Sequence, residues 1–239
     1  FTGLEGFTKL SHAVTPETVA RLLNEYLDRL SDIVLGHGGT IDKFVGDAVV
    51  AFWGAPISRP DDGEQAAAAA LAMYQAGEQF RIDLAAEDIP PIGMTRVGLH
   101  VGDAIVGNFG GEGRIQYTAL GDSMNTASRL ESANKSLKTG VLISAEVAAP
   151  SARDDLVPMG RVNLRGRAQP VDVLTPRPDL TPDQRERLAA LVAAHAAGDK
   201  SAYVTVATEL ARDFGRDSSI MFLIERLNQT KKGESYVLS

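Results

Sequence analysis

The sequence contains no cysteine. Disulfide scaffolds and Cys-ligated zinc sites are therefore excluded, and a Cys-free chain is at home in a reducing cytoplasm. Aromatic residues make up only 6 %, with one Trp, and 24 basic against 31 acidic residues leave a net charge of −7. A four-stranded RNA-binding sheet wants exposed aromatics and basic charge, so that class is disfavoured, as is broad binding of nucleic-acid polymers. A small basic pocket for one phosphate ligand stays open. No apolar run approaches the ~20 residues that span a bilayer, since the longest candidate, Ala66 to Met73, is short and Ala-rich. No signal-peptide pattern is visible. The chain starts at Phe1 rather than Met, so it reads as a piece of a longer protein. His12, His37, His100 and His195 lack metal-ligand spacing, and His100 reads as structural.

What remains is 239 residues, 44 % of them hydrophobic, enough for one large domain or one domain plus a small addition. Phe1 to Glu5 reads as the end of a strand and Gly6-Phe7-Thr8 as a turn. Ser11 to Leu35 has helical periodicity, with Thr15 as cap and Pro16 in the first turn. Phe44-Val45 and Ala48 to Phe52 flank Gly46-Asp47, a β-hairpin signature. A second helix is predicted from about Asp61 to Leu84. Met94 to Val106 reads as a strand, Gly107 to Gly113 as a flexible Gly-rich loop and Ile115 to Leu120 as a strand. Asp122 to Asn134 follows as a helix and Gly140 to Ser144 as a buried strand. Val157 to Leu164 and Pro170 to Leu174 suggest a closing hairpin around Arg165-Gly166-Arg167. Helices mixed with antiparallel strands predict an α+β sandwich on the split βαβ plan.

Thr175-Pro176-Arg177-Pro178 reads as a linker. Beyond it, Thr181-Pro182-Asp183-Gln184 opens a helix, Gly198-Asp199 breaks it, and two more helices are expected around Tyr203 to Phe214 and Ile220 to Leu227. Lys231 to Ser239 reads as frayed. This surplus, 176–239, is expected to form a hairpin-like helical extension, which cannot bury its apolar face alone.

Three segments carry chemistry: Phe1 to Thr8, Lys43-Phe44-Val45-Gly46-Asp47, and Tyr117 to Glu131. Asp47 at a hairpin tip is either an ordinary turn residue or a hard-cation ligand. Asn125 and Arg129, four apart on a helix, are either an exposed polar stripe or an amide and a guanidinium that meet a hydroxyl and a phosphate. In this order and spacing, with Gly98-Leu99-His100-Val101-Gly102, Gly107-Asn108 and Leu164-Arg165-Gly166-Arg167, the segments resemble the class III adenylate/guanylate cyclase catalytic domain. The resemblance covers about 1–175 and implies that family's mixed, palm-type (ferredoxin-like) sheet with helices.

The resemblance implies a head-to-tail homodimer whose active site lies between protomers, with ATP as substrate and two divalent cations, Mg²⁺ or Mn²⁺. Lys43 and Thr118 match the purine-reading positions. Lys with Thr suits adenine, an ammonium donating to a ring nitrogen and a hydroxyl accepting from the exocyclic amine, where guanylate cyclases carry Glu and Cys. Asn125 matches the ribose-orienting amide and Arg129 the group that stabilises charge on the α-phosphate. Arg165 or Arg167 would hold the terminal phosphates, and the amides of Gly6, Phe7 and Thr8 suit phosphate as well. Asp47 matches one metal carboxylate, and the Leu4 carbonyl matches a family metal contact. The other carboxylate belongs at position 3, where this chain has Gly3. Glu5 is a poor substitute, Asp42 is expected at the surface, and Asp122 reads as a helix-start residue. The resemblance therefore implies an adenylate cyclase with impaired turnover or a degenerate cyclase that binds nucleotide or a partner. It also implies a catalytic domain in the cytoplasm, joined to an upstream sensor or regulatory region. A diguanylate cyclase is disfavoured, because Gly110-Gly111-Glu112-Gly113 lies in the wrong setting for that family's hairpin.

Overall fold

A computed structural model describes residues 1–87, 89–148, 153–231 and 234–237. Its central sheet has six strands: β1 (Thr2–Leu4), β4 (Thr95–Leu99), β7 (Val141–Ser144), β8 (Leu156–Asn163), β9 (Val171–Pro176) and β10 (Tyr236–Val237). Their spatial order is β1-β4-β7-β9-β8-β10. β4 and β7 run parallel, and β1 pairs antiparallel to β4. Two separate hairpins, β2 (Thr40–Val45) with β3 (Ala48–Phe52) and β5 (Ile105–Gly111) with β6 (Arg114–Leu120), complete the strands. The mixed α+β class expected from the sequence is what folds.

Alternation along β7 divides the core in two. Val141 and Ile143 face a cluster built with α2 (Pro16–Gly36) and α3 (Asp62–Ala85), while Leu142 faces α4 (Asp122–Leu137) and the C-terminal helices. In α2 the buried residues are Leu22, Tyr26, Leu30 and Val34, one side of a helix repeating every four positions. Thr15 caps this helix, its hydroxyl accepting from the Thr18 amide, and Pro16 sits in the first turn. α4 lies close on β4 because Gly98 has no side chain: a Cβ there would overlap the Ala127 carbonyl and the Glu131 amide.

Several expectations change. Gly6-Phe7-Thr8 is not only a turn, because Gly6 precedes a short helix, α1 (Phe7–Ala13), so the N-terminal helical stretch is two helices. The predicted strand Met94 to Val106 ends at Leu99, and the next begins at Ile105. The Gly-rich stretch Gly107 to Gly113 is largely strand β5, since pairing with β6 satisfies backbone groups that glycine leaves unshielded. A four-residue helix, α5 (Ala145–Ala148), follows β7 without a sequence signal.

The supposed linker is fastened: β9 runs through Pro176, and Arg177 bonds Asp179 and Asp217. After it come α6 (Pro182–Ala197), α7 (Lys200–Phe214) and α8 (Ser218–Gln229), the first opened by a capping box of Thr181 and Gln184. The tail is not frayed throughout. β10 pairs parallel with β8, and the buried Tyr236 donates its hydroxyl to the Met159 carbonyl. Residues 232–233 and 238–239 of that stretch lie outside the described residues.

Candidate functional site

The β2–β3 turn places Gly46 at φ +61°, which glycine adopts without strain, and puts Asp47 at its tip. Asp47 does not hang free. Its Oδ2 accepts from the Leu4 amide at 2.6 Å, tying the hairpin tip to β1. The Leu4 side chain is buried in the core, so its main chain is fixed beside Asp47. Gly6 is in the left-handed region before α1, with Phe7 packed against the core and Thr8 exposed in the first turn.

On β1, Thr2 and Leu4 face inward and Gly3 faces α4. A Cβ on Gly3 would meet Glu131 Oε1 at 2.5 Å, so this α4 carboxylate lies against the space a side chain at position 3 would need. Gly3 pairs in register with Arg96, whose Nε donates to Glu131 Oε1 at 3.0 Å and whose Nη1 lies 3.8 Å from Glu5 Oε1. Glu5 and Glu131 are thus spoken for by one guanidinium. Among the described residues no group of three His, Cys, Asp or Glu side chains could hold a metal ion. As arranged, this donor set does not fit a pair of hard divalent cations, which want several oxygen ligands in tight geometry.

The purine-reading candidates do meet. Lys43 on β2 donates from Nζ to Thr118 Oγ1 on β6 at 3.3 Å, although the two are 75 positions apart. Thr118 is buried, and the Lys43 side chain is 39 % exposed, which leaves the ammonium reachable from outside. Asp42, expected at the surface, is buried: its Oδ2 lies 3.6 Å from Lys43 Nζ and Gln116 Nε2 approaches its Oδ1 at 3.4 Å. The bulge between Ile41 and Lys43 shifts the register there, so strand alternation read from the sequence fails at that point.

On α4, Asn125 is exposed and Arg129 is half-buried. Arg129 Nη1 is a buried donor without a partner among the described residues. An unpaired buried charged donor is costly, so the arrangement invites an acceptor from outside. Arg129, Ser128, Ser132 and Arg165 line one cleft of about 390 Å³. Gly166, at φ +74°, lies over the guanidinium, and a Cβ there would sit 3.3 Å from Arg129 Nη2. The two loop arginines differ. Arg165 is exposed at the cleft, whereas Arg167 turns inward, donating to Thr126 Oγ1 at 2.6 Å and approaching His100 Nε2 at 3.4 Å. His100 Nδ1 lies 2.8 Å from Ser144 Oγ, so His100 does tie the sheet together. Asp122 is the first residue of α4, behind Gly121.

Sequence reasoning missed Arg96, Thr126 and the placement of Glu131. Only the last had a signal, standing two positions after Arg129. The contacts that matter are made by register and helix packing.

Residues 1–174 match the adenylate and guanylate cyclase catalytic domain family. Over 176 residues the chain is 41 % identical to Adenylate cyclase 1 of Rhizobium meliloti, a match that covers 72 % of this chain and 26 % of that protein. The chain spans under a third of the other curated relatives that it matches. Among solved structures, the adenylyl cyclase CyaB from P. aeruginosa superposes with TM-score 0.66 at 35 % identity, covering 75 % of this chain and 94 % of that one. The guanylyl cyclase Cya2 gives 0.64 at 31 %, covering 73 % and 88 %. With the hairpin, sheet and α4 residues arranged as described, the chain belongs to the adenylate and guanylate cyclase catalytic domain family.

Proposed function

We propose that the chain is the catalytic domain of an adenylate cyclase, forming cyclic AMP and pyrophosphate from ATP at a site shared by two head-to-tail copies. The observation that carries this reading is the 3.3 Å contact of Lys43 with Thr118. An ammonium and a hydroxyl side by side present a donor for a ring nitrogen and an acceptor for the exocyclic amine of adenine. Asn125 would orient the ribose so that its 3′-hydroxyl faces the α-phosphorus. Arg129 would use its unpartnered nitrogen on the charge that develops at the α-phosphate as the 3′-oxygen attacks and pyrophosphate leaves. Arg165 is the better placed of the two loop arginines for terminal phosphates, because Arg167 is engaged elsewhere.

Exposed apolar residues support assembly. Phe44 and Val45 stand next to the site residues of β2, and Ile105, Ile115, Tyr117 and Leu120 project from the β5–β6 hairpin around Thr118. Apolar area of this kind on a water-soluble fold is commonly covered by a partner. The division into a catalytic unit, 1–175, and a helical extension, 176–239, is part of the same reading. So is a cytoplasmic setting, where ATP is found; among the described residues no helix is long and apolar enough to cross a membrane. The chain spans under a third of the length of these relatives, and an upstream sensor or regulatory region is part of the same reading.

Turnover is proposed to be weak, because Gly3 offers no carboxylate and Glu131 lies against its place. The same observation favours a second reading, a nucleotide-binding or interaction module without turnover. The deciding experiment measures cyclic AMP formed with Mg²⁺ or Mn²⁺ by this chain and by Gly3→Asp. The expected result is little product from the first and much more from the second. Equal, full turnover by both would sink the role given to position 3. Product from neither, with nucleotide still bound, would establish the second reading.

A further inference from the structure

The turn between β8 and β9 touches α4 at two points. Gly166 lies over the Arg129 guanidinium, and Arg167 reaches the Thr126 hydroxyl at 2.6 Å. Thr126 is fully buried and donates its own proton to the Asp122 carbonyl at 3.0 Å, so its oxygen is free to accept from Arg167. A guanidinium has only donors. The second Arg167 contact, 3.4 Å to His100 Nε2, therefore requires that nitrogen to be unprotonated. The ring proton then sits on Nδ1, which donates to the buried Ser144 Oγ at 2.8 Å. Ser144, His100, Arg167 and Thr126 form one chain of contacts from β7 to the first turns of α4. That end of α4 has no side-chain cap of its own.

We propose that Arg167 is a positioning residue: by joining Thr126 to a neutral His100, it locks the Leu164–Arg167 turn onto α4 and fixes the Arg129 guanidinium beneath Gly166. The inference rests on the reading of Arg129 as a phosphate-facing group, and it gives Arg167 an indirect role. It also makes the site sensitive to acid. Protonating His100 puts an N–H against the guanidinium, which has no acceptor to offer. The groups around the ring are Arg167, Glu146 and Asp122; burial and then Arg167 hold the imidazole below its ordinary value of 6.5, with the two carboxylates opposing. His100 is accordingly neutral at pH 7. The unfolded chain binds this proton more readily, so the His100 contribution is complete above pH 6.5 and is lost as pH falls below it.

The test uses the full chain with two independent readouts. Amide hydrogen exchange reports the first turns of α4 and the 164–167 turn. Equilibrium binding of a non-hydrolysable ATP analogue reports the nucleotide. Arg167→Ala is expected to speed exchange in both segments about tenfold at pH 7, corresponding to an easier local opening. The parent chain should show the same loosening as pH drops from 7 to 5. Thr126→Val should behave like Arg167→Ala, Thr126→Ser like the parent, and His100→Gln, whose amide oxygen can accept from Arg167 but cannot titrate, should remove the pH dependence. Unchanged exchange in Arg167→Ala overturns the proposal. So does weaker nucleotide binding with unchanged exchange, which would make Arg167 a direct phosphate contact. If exchange responds as expected while no variant, nor the parent, binds the analogue at any pH, the lock stands and the nucleotide reading of the site falls.

Discussion

At position 3 the absence of a side chain leaves room that the Glu131 carboxylate occupies. Without a Cβ on Gly3, Glu131 comes against β1 and pairs with Arg96, the cross-strand partner of Gly3. An Asp introduced there meets a flexible carboxylate rather than backbone, so the site can accommodate it by moving Glu131. A third carboxylate beside the guanidinium that Glu5 and Glu131 already share still costs about 0.2–1 kcal/mol, which is a drop of up to roughly 4 °C in Tm for a chain of this size. Gly3→Asp is therefore expected to melt slightly below the parent, with Glu131→Gln added to it restoring the difference in a calorimetric scan. A Gly3→Asp variant that melts well above the parent would show that Glu131 is not where the charge conflict lies. Thr118→Val tests the purine contact at the same scale. It keeps the shape, removes the hydroxyl that would accept from adenine's exocyclic amine, and should weaken binding of the ATP analogue by up to about tenfold, a lost neutral hydrogen bond being worth about 0.5–1.5 kcal/mol. Unaltered affinity would remove Thr118 from the site.

Among the elements, helices were the more legible in the sequence, because their ends carry local chemistry. Thr15-Pro16 opens α2, and Thr181 with Gln184 closes a capping box on α6, and both do so through bonds within four residues. Thr181→Ala is expected to cost about 1 kcal/mol, and an unchanged melting temperature would show that α6 is held by its packing alone. Strands were harder. The glycines of β5 suggested a loop, yet seven paired positions with β6 make it a ladder, since pairing depends on a partner strand and not on the residues' own preference. This hairpin also exposes Ile105, which is 71 % accessible, and Ile115, which is 68 % accessible. Ile115→Lys should shift sedimentation velocity toward the monomer if the β5–β6 face meets a second copy. An unchanged distribution would place the interface elsewhere.

For the whole molecule, the C-terminal helices and the sheet share one core. Leu130 and Leu137 of α4 lie in the same cluster as Leu188 and Leu191 of α6, Leu210 of α7 and Leu223 of α8. Deleting everything after Pro178 would bare that face and remove β10 from β8, so the shortened chain is expected to aggregate or to lose cooperative unfolding. Leu191→Ala, at a fully buried position, should cost about 2–5 kcal/mol. A soluble, cooperatively folding truncation would overturn the view that these helices stabilise the sheet they share a core with. The sequence by itself determined the class of fold, the starts of α2, α3, α4 and α6, the Gly46-Asp47 hairpin and the family's residue types in order, because these depend on periodicity, caps and turns that act within a few positions. Only the tertiary structure decided that Lys43 meets Thr118, that Asp42 is buried, that Arg167 turns inward and that Glu131 lies against the space at Gly3. Each of those follows from strand register or from one helix lying against the sheet, contacts between residues far apart in the chain whose geometry no local pattern encodes.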